Sequence, residues 1–254
     1  MRPKNFSIVA VIGVIFLYSQ NIYQQPNTTI KSFSEAKKYL NKVIYSQGSD
    51  RRTFYCGCSF SEKMKIDSEN CGYAVRKDKK RAGRVEWEHI VPASEFGKNL
   101  TEWKDGHPNC KDGKGNHFKG RNCASKMNRS FQFMQADMYN LVPAVGEINA
   151  DRKDYNYGII AEEKREYGKC DFEINNQTAE PPLKIRGNIA RTYMYMDSAY
   201  PGFNIINKNN LSLFEEWDNL DPVDIEECRR SAAIEKIQKN QNIILQKRCE
   251  KISY

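Results

Sequence analysis

Apolar and polar positions change rhythm several times along the chain, and each rhythm predicts a different element. Phe6 to Tyr18 is an apolar run interrupted only by Ser7, behind the basic Arg2 and Lys4 and ahead of the polar exit Ser19-Gln20-Asn21. About 13 apolar residues are too few to cross roughly 30 Å of hydrocarbon comfortably, so residues 1–22 read as a secretory signal peptide rather than an uncleaved anchor. Residues 23–254 then form the exported domain. Ser32 or Ser34 caps a helix that carries Ala36, Leu40, Val43 and Ile44 at helical spacing. Residues 46–84, rich in Gly, Ser, Cys and Lys, predict irregular chain. Val85, Trp87, Ile90 and Val91, closed by Pro92, predict a strand over 85–91. Lys104–Arg129 turns to Gly, Asn and Lys and predicts a long loop. Helical spacing returns at Phe131, Met134, Met138 and Leu141, then over 187–196 and 225–246. With no repeat and no low-complexity linker, the pattern predicts one mixed, helix-rich α+β domain.

Composition changes that picture in two ways. Mean hydropathy is −0.75, low for 254 residues, while 14 Tyr and 12 Phe exclude a disordered tail. A lightly cored fold is where covalent staples add most, and an exported chain meets oxidising conditions. Cys56, Cys58, Cys71, Cys110, Cys123, Cys170, Cys228 and Cys249 are therefore expected as four disulfides, Cys110–Cys123 and Cys228–Cys249 closing short loops and the other four pairing among themselves. The formal charge of +8 stays positive after the leader's two basic residues are lost.

Only three histidines are present, which concentrates any imidazole chemistry. His107-x2-Cys110-x6-His117-x5-Cys123 offers four zinc-type ligands, but a Cys110–Cys123 disulfide removes both thiolates. Glu88-His89 offers a second arrangement. Adjacent strand residues point to opposite faces, so the pair divides the labour: the acid holds a hard cation and the imidazole takes a proton from water. Two basic stretches flank it, Arg76, Lys77, Lys79, Lys80, Arg81 and Arg84 upstream and Lys111, Lys114, Lys119, Arg121, Lys126 and Arg129 downstream. Two such runs beside an acid–imidazole pair suit a phosphodiester channel, because positive charge supplies most non-specific nucleic-acid affinity.

Phe54–Cys58, Cys71-Gly72-Tyr73, Val85-Glu86-Trp87-Glu88-His89-Ile90-Val91-Pro92-Ala93, Ala136–Ala144, Gly146–Arg152 and Ala190–Met196 closely resemble the bacterial endonuclease I family of periplasmic and secreted non-specific nucleases. The resemblance runs from about Ser32 to the last cysteine. It implies a ββα-metal, or His-Me finger, site in which His89 is the general base. Glu88 and Asn149 are then the ligands of Mg2+, for which Mn2+ or Ca2+ can stand in, and Arg121 holds the cleaved phosphate, with Arg129 or Lys126 as alternatives. Asn140 ties the loop to the finger. The implied activity is sequence-independent hydrolysis of DNA, and of RNA, by a periplasmic or secreted monomer, leaving a 5′ phosphate. The basic residues Arg76, Lys77, Lys79, Lys80, Arg81, Arg84, Lys126 and Arg129 would bind the nucleic-acid backbone. The rival is a secreted polyanion-binding module in which His89 is structural.

Overall fold

The hydroxyl of Ser32 accepts the Glu35 amide and opens α1 (Phe33–Tyr39), which runs on through a wider π-type turn that buries Leu40 and Ile44. The computed structural model describes residues 23–46, 48 and 50–252, so the expected leader lies outside the described residues. From Gln24 the chain is already part of the fold: the Gln24 side chain bonds Gln241 O and Ile243 N, and Asn27 reaches Phe133 O. The described residues of the 46–84 stretch are largely irregular, as the composition predicts, and end in α2 (Lys79–Ala82), capped by Asp78. Cys58–Cys71 and Cys56–Cys170 tie this stretch down, and Cys110–Cys123 and Cys228–Cys249 form as expected.

Beyond it come β1 (Val85–His89), α3 (Ala93–Gly97) and α4 (Thr101–Lys104). The stretch expected as one long loop over 104–129 is corrected at its end, where α5 (Arg121–Met127) buries Cys123 and Ala124. Those residues contain no Gly or Pro, and the buried disulfide gives the helix an inner face. A single helix through Phe131 and Leu141 is also corrected. Helix α6 (Arg129–Gln135) stops short, Met138–Asn140 is a 3₁₀ turn, and Leu141 opens β2 (Leu141–Val145). Asp137 causes the break: it is fully buried, caps the Tyr139 amide, and accepts Tyr195, Tyr200 and Gln238 side chains.

β1 and β2 pair antiparallel, with Val85 opposite Val145 and His89 opposite Leu141. Pro143 is tolerated because its missing N–H falls on the outer edge of this two-stranded ribbon, where its carbonyl accepts Phe54 N at 2.7 Å. β2 passes directly into α7 (Gly146–Arg152), which packs back on both strands. Gly146 is needed at that junction, since a Cβ would come within 2.7 Å of Arg81 O and 3.0 Å of the Glu86 side chain. Strands β3 (Asn156–Tyr157), β4 (Glu173–Asn175) and β5 (Thr178–Glu180) form a second small sheet in the order β3-β5-β4.

The C-terminal third is helical: α8 (Arg186–Ala199), α9 (Leu211–Leu220), α10 (Ile225–Gln238) and α11 (Ile243–Cys249). The helix expected over 225–246 is thus corrected to two, because Lys239 adopts a left-handed conformation (φ 64°) and Asn242 caps a new start. Buried Phe131, Met134, Tyr139, Ile148, Tyr195 and Trp217 join one core that spans the strand pair and these helices. Among the described residues no helix is long and apolar enough to cross a membrane.

Glu147, fully buried in the first turn of α7, accepts Tyr73 Oη and the amides of Arg76, Lys77 and Asp78, the last two at 2.6 and 2.5 Å. Burial works against its charge, yet these donors outweigh it and hold the carboxyl below its ordinary value of 4.5. A depressed folded value means stability present above about pH 4.5 and lost as pH falls through it. Glu147→Gln is expected to cost about 2–3 kcal/mol at pH 7 and to flatten the acid limb of stability in urea melts. Equal losses at pH 7 and pH 3 would contradict it.

Candidate active site

β1 ends in a cavity of about 600 Å³ whose lining includes Glu86, Glu88, His89, Arg121 and Asn149, with Phe33 and Trp103 as apolar walls. Adjacent strand residues should face apart, but His89 is the last residue of β1, and the chain turns there toward Pro92, so both Glu88 and His89 reach the same space.

Glu88 is 3% exposed. Its Oε1 accepts Tyr55 Oη at 3.2 Å and Arg152 Nη1 at 2.9 Å, and among the described residues nothing bonds Oε2. Burial is the largest influence and pushes the carboxyl up to about 7, against the pull of Arg152 and Tyr55. Arg152 has no exposed surface. Besides Glu88 it donates to His89 O and Ile90 O, each at 2.9 Å, and lies over the Tyr157 ring at 4.4 Å. One guanidinium therefore fixes both the carboxylate and the backbone that carries the histidine.

His89 Nε2 lies 2.8 Å from Gln135 O. A carbonyl can only accept, so Nε2 carries the proton and Nδ1 holds the lone pair. The ring packs on Phe33 with centroids 4.8 Å apart. Burial first, and the Arg121 charge second, push its pKa down from the ordinary imidazole value of 6.5 to about 3. The neutral form is thus the resident one.

Arg121 opens α5 and lies over Phe33, 5.4 Å from the ring centre, with no carboxylate in ion-pair contact among the described residues. The alternatives lie elsewhere. Lys126 donates to Asn109 O, Arg129 lies over Phe133, and neither lines the cavity. Asn149, on α7, donates from Nδ2 to Glu86 Oε2 at 3.1 Å, and among the described residues nothing bonds Oδ1. Asn140 does tie the loop: its amide bonds Val91 N and O at 2.7 and 3.0 Å.

The upstream basic run is largely committed to ion pairs, although most of it stays exposed. Arg76 and Lys77 hold Asp151, Arg81 and Arg84 hold Glu86, and only Lys79 and Lys80 of the six form no ion pair among the described residues. Zinc at His107, Cys110, His117 and Cys123 is ruled out, since Cys110 and Cys123 are bonded to each other and His107 Nδ1 accepts Asn109 N. A different acidic group, Glu163, Asp171 and Glu173, could hold an ion by distance, but Arg165 pairs with all three. Sequence reasoning missed Glu86, Arg152, Tyr55, Phe33 and Lys37. A signal for Arg152 existed, because it lies three residues past Asn149 on the same helix face.

A buried neutral imidazole beside a carboxylate and an unpaired arginine, all in one cavity, is the equipment of a hydrolase. The endonuclease I profile matches residues 19–248, and the chain belongs to the endonuclease I family. A periplasmic deoxyribonuclease of Aeromonas hydrophila is 38% identical over 246 residues, covering 94% of each chain. An extracellular deoxyribonuclease of the same organism is 40% identical over 228 residues, 87% of this chain and 90% of the relative. Endonuclease-1 of Buchnera aphidicola subsp. Acyrthosiphon pisum is 37% identical over 244 residues, 93% and 90%. The chain is a nuclease, exported to the periplasm or beyond, as its four disulfides also indicate; membership implies a divalent metal cofactor.

Because His89 is held neutral, its ring resonances are expected to stay constant from roughly pH 8 to pH 5 in an NMR titration. A midpoint near 6.5 would contradict the burial argument.

Proposed function

We propose that the protein is a Mg2+-dependent, sequence-non-specific endonuclease of the His-Me finger type that hydrolyses DNA, and RNA, to 5′-phosphate products. The observation that carries this reading is the convergence of Glu88, His89, Arg121 and Asn149 on one cavity from three separate stretches of chain. The strand–strand–helix order of β1, β2 and α7 supports the finger assignment.

The donor set fits a hard cation. Among the described residues Glu88 Oε2 and Asn149 Oδ1 are both oxygens without a hydrogen-bond partner, and two protein ligands leave positions for water and phosphate oxygens. Bound there, Mg2+ would supply charge neutralisation on the scissile phosphate and on the departing 3′ oxygen. The chain's own groups do the rest. His89 Nδ1 takes the proton of the attacking water, and its low pKa keeps that lone pair available at neutral pH. Arg121, with no carboxylate in ion-pair contact among the described residues, offers a planar fork to the phosphate oxygens. Phe33 and Trp103 wall the cavity and exclude water from one side. Backbone-directed cations such as Lys79, Lys80, Lys126 and Arg129 carry no base-reading pattern, which supports non-specific cleavage. DNA as substrate follows the names of the relatives; RNA extends the same backbone recognition. We take the protein to act as a monomer without stable membrane association after leader removal; among the described residues no helix is long and apolar enough to cross a membrane.

Supercoiled plasmid with Mg2+ separates this reading from a binding module, which would shift the band without cutting. His89→Ala is expected to lower cleavage by about 10²–10⁴-fold with Mg2+ binding retained. Asn149→Ala should abolish most cleavage by weakening Mg2+, with DNA binding in chelator intact. Asn140→Ala should instead lower thermal stability by about 1–3 kcal/mol, through the loss of two buried hydrogen bonds. Calorimetric metal titration and thermal melting check both asparagines; a selective metal defect confined to the Asn140 variant would overturn the assignment.

A further inference from the structure

An asparagine amide has two ends of nearly equal size, and only its hydrogen-bond partners decide which end faces where. At Asn149 that decision falls, among the described residues, to a single side chain, Glu86. We propose that Glu86 is a positioning residue: it turns the Asn149 amide so that oxygen, not nitrogen, faces the cavity. The proposal rests on the reading of Asn149 as a cation ligand.

Three features make Glu86 suited to this. A carboxylate only accepts, so the end of Asn149 that meets Glu86 Oε2 at 3.1 Å must be Nδ2, and Oδ1 is left for the cavity. The carboxylate cannot swing away. Its Oε1 accepts Arg81 Nε at 3.1 Å and Arg84 Nε and Nη2 at 3.0 and 2.7 Å, and its Oε2 also accepts Arg81 Nη2. The third feature is Gly146, whose lack of a side chain lets Glu86 lie against the start of α7, one turn from Asn149. Two residues of the basic run therefore serve the site by clamping the acid that orients a ligand. This also explains a second carboxylate on the Glu88 face of β1 that is not itself available to a cation, since its acceptors are already occupied.

Glu86→Gln, a near-isosteric change, should reverse the Asn149 amide. Three guanidinium N–H groups converge on Oε1 and one on Oε2, so the Gln oxygen takes the Oε1 place, the Arg81 Nη2 bond is given up, and the NH2 faces Asn149. Two NH2 groups cannot donate to each other. Asn149 then turns over, gives Oδ1 to Gln, and aims Nδ2 at the cavity.

Mn2+ titration followed by electron paramagnetic resonance, without substrate, reads this directly. Glu86→Gln is expected to weaken Mn2+ binding at least tenfold with an unchanged circular dichroism spectrum. In an Asn149→Asp background, where both ends are oxygen, the same change should cost nothing or tighten binding by removing a like charge. A loss of similar size in both backgrounds, or less than twofold in the native one, would overturn the proposal. Failure of the underlying reading looks different: Asn149→Ala would then leave Mn2+ binding intact. If Glu86→Gln does not fold, the unaltered protein still decides, since the Asn149 side-chain NH2 protons must show strong nuclear Overhauser effects to the Glu86 methylenes, and their absence would overturn it.

Discussion

The buried ion pair of Arg152 and Glu88 is the interaction on which the site depends. Neither residue has more than 3% of its surface exposed, and Arg152 is the only cation in ion-pair contact with Glu88 among the described residues. Removing one partner of such a pair typically costs about 3–5 kcal/mol, because the other is left charged in a medium that cannot solvate it. Here the same guanidinium also holds His89 O and Ile90 O. Glu88, the strand end and the imidazole are consequently one rigid body. Tyr55 completes it: its hydroxyl contacts Glu88 and lies 2.5 Å from that of Tyr157, and it neighbours Cys56, which is bonded to Cys170. A covalent staple thus lies one residue from the carboxylate's second donor.

Charge is distributed around this body in a way the net value does not reveal. The Arg76–Arg84 stretch carries much of the local positive charge, yet most of it is spent on Asp151, Glu166 and Glu86, where it fixes α7 and the Asn149 amide. The cations that remain open at the cavity are few: Arg121, Lys37 and Lys153. Lys37 and Arg121 share the Phe33 ring, at 4.8 and 5.4 Å, so one aromatic side chain of α1 organises both while also packing on His89.

Much of this was legible in the chain. The alternation of Val85 and Trp87 closed by Pro92 marks the strand that carries Glu88 and His89, and short cysteine spacings give Cys110–Cys123 and Cys228–Cys249. The long pairing Cys56–Cys170 has no local signature, because it depends on how distant segments meet. Met138 and Leu141 keep helical spacing, but tertiary demands override it: buried Asp137 recruits donors from α8 and α10 and diverts the chain into β2. Arg121 reached the site through resemblance. Glu86 and Arg152 stood inside the quoted motifs, but their roles lie in the direction and burial of side chains, which periodicity does not encode. The low pKa of His89 is likewise a property of burial, invisible in a composition with three histidines.

Among the described residues two sets of oxygen donors compete as cation sites, the proposed Glu88–Asn149 pair that lines the cavity and the Arg165-bridged group of Glu163, Asp171 and Glu173. Substoichiometric Mn2+ added to isotope-labelled protein distinguishes them, because paramagnetic broadening falls steeply with distance. The account predicts that the Asn149 side-chain amide and His89 ring resonances broaden first, with Glu173 and its neighbours unaffected. Broadening centred on Asp171 and Glu173, with Asn149 and His89 still sharp, would contradict it.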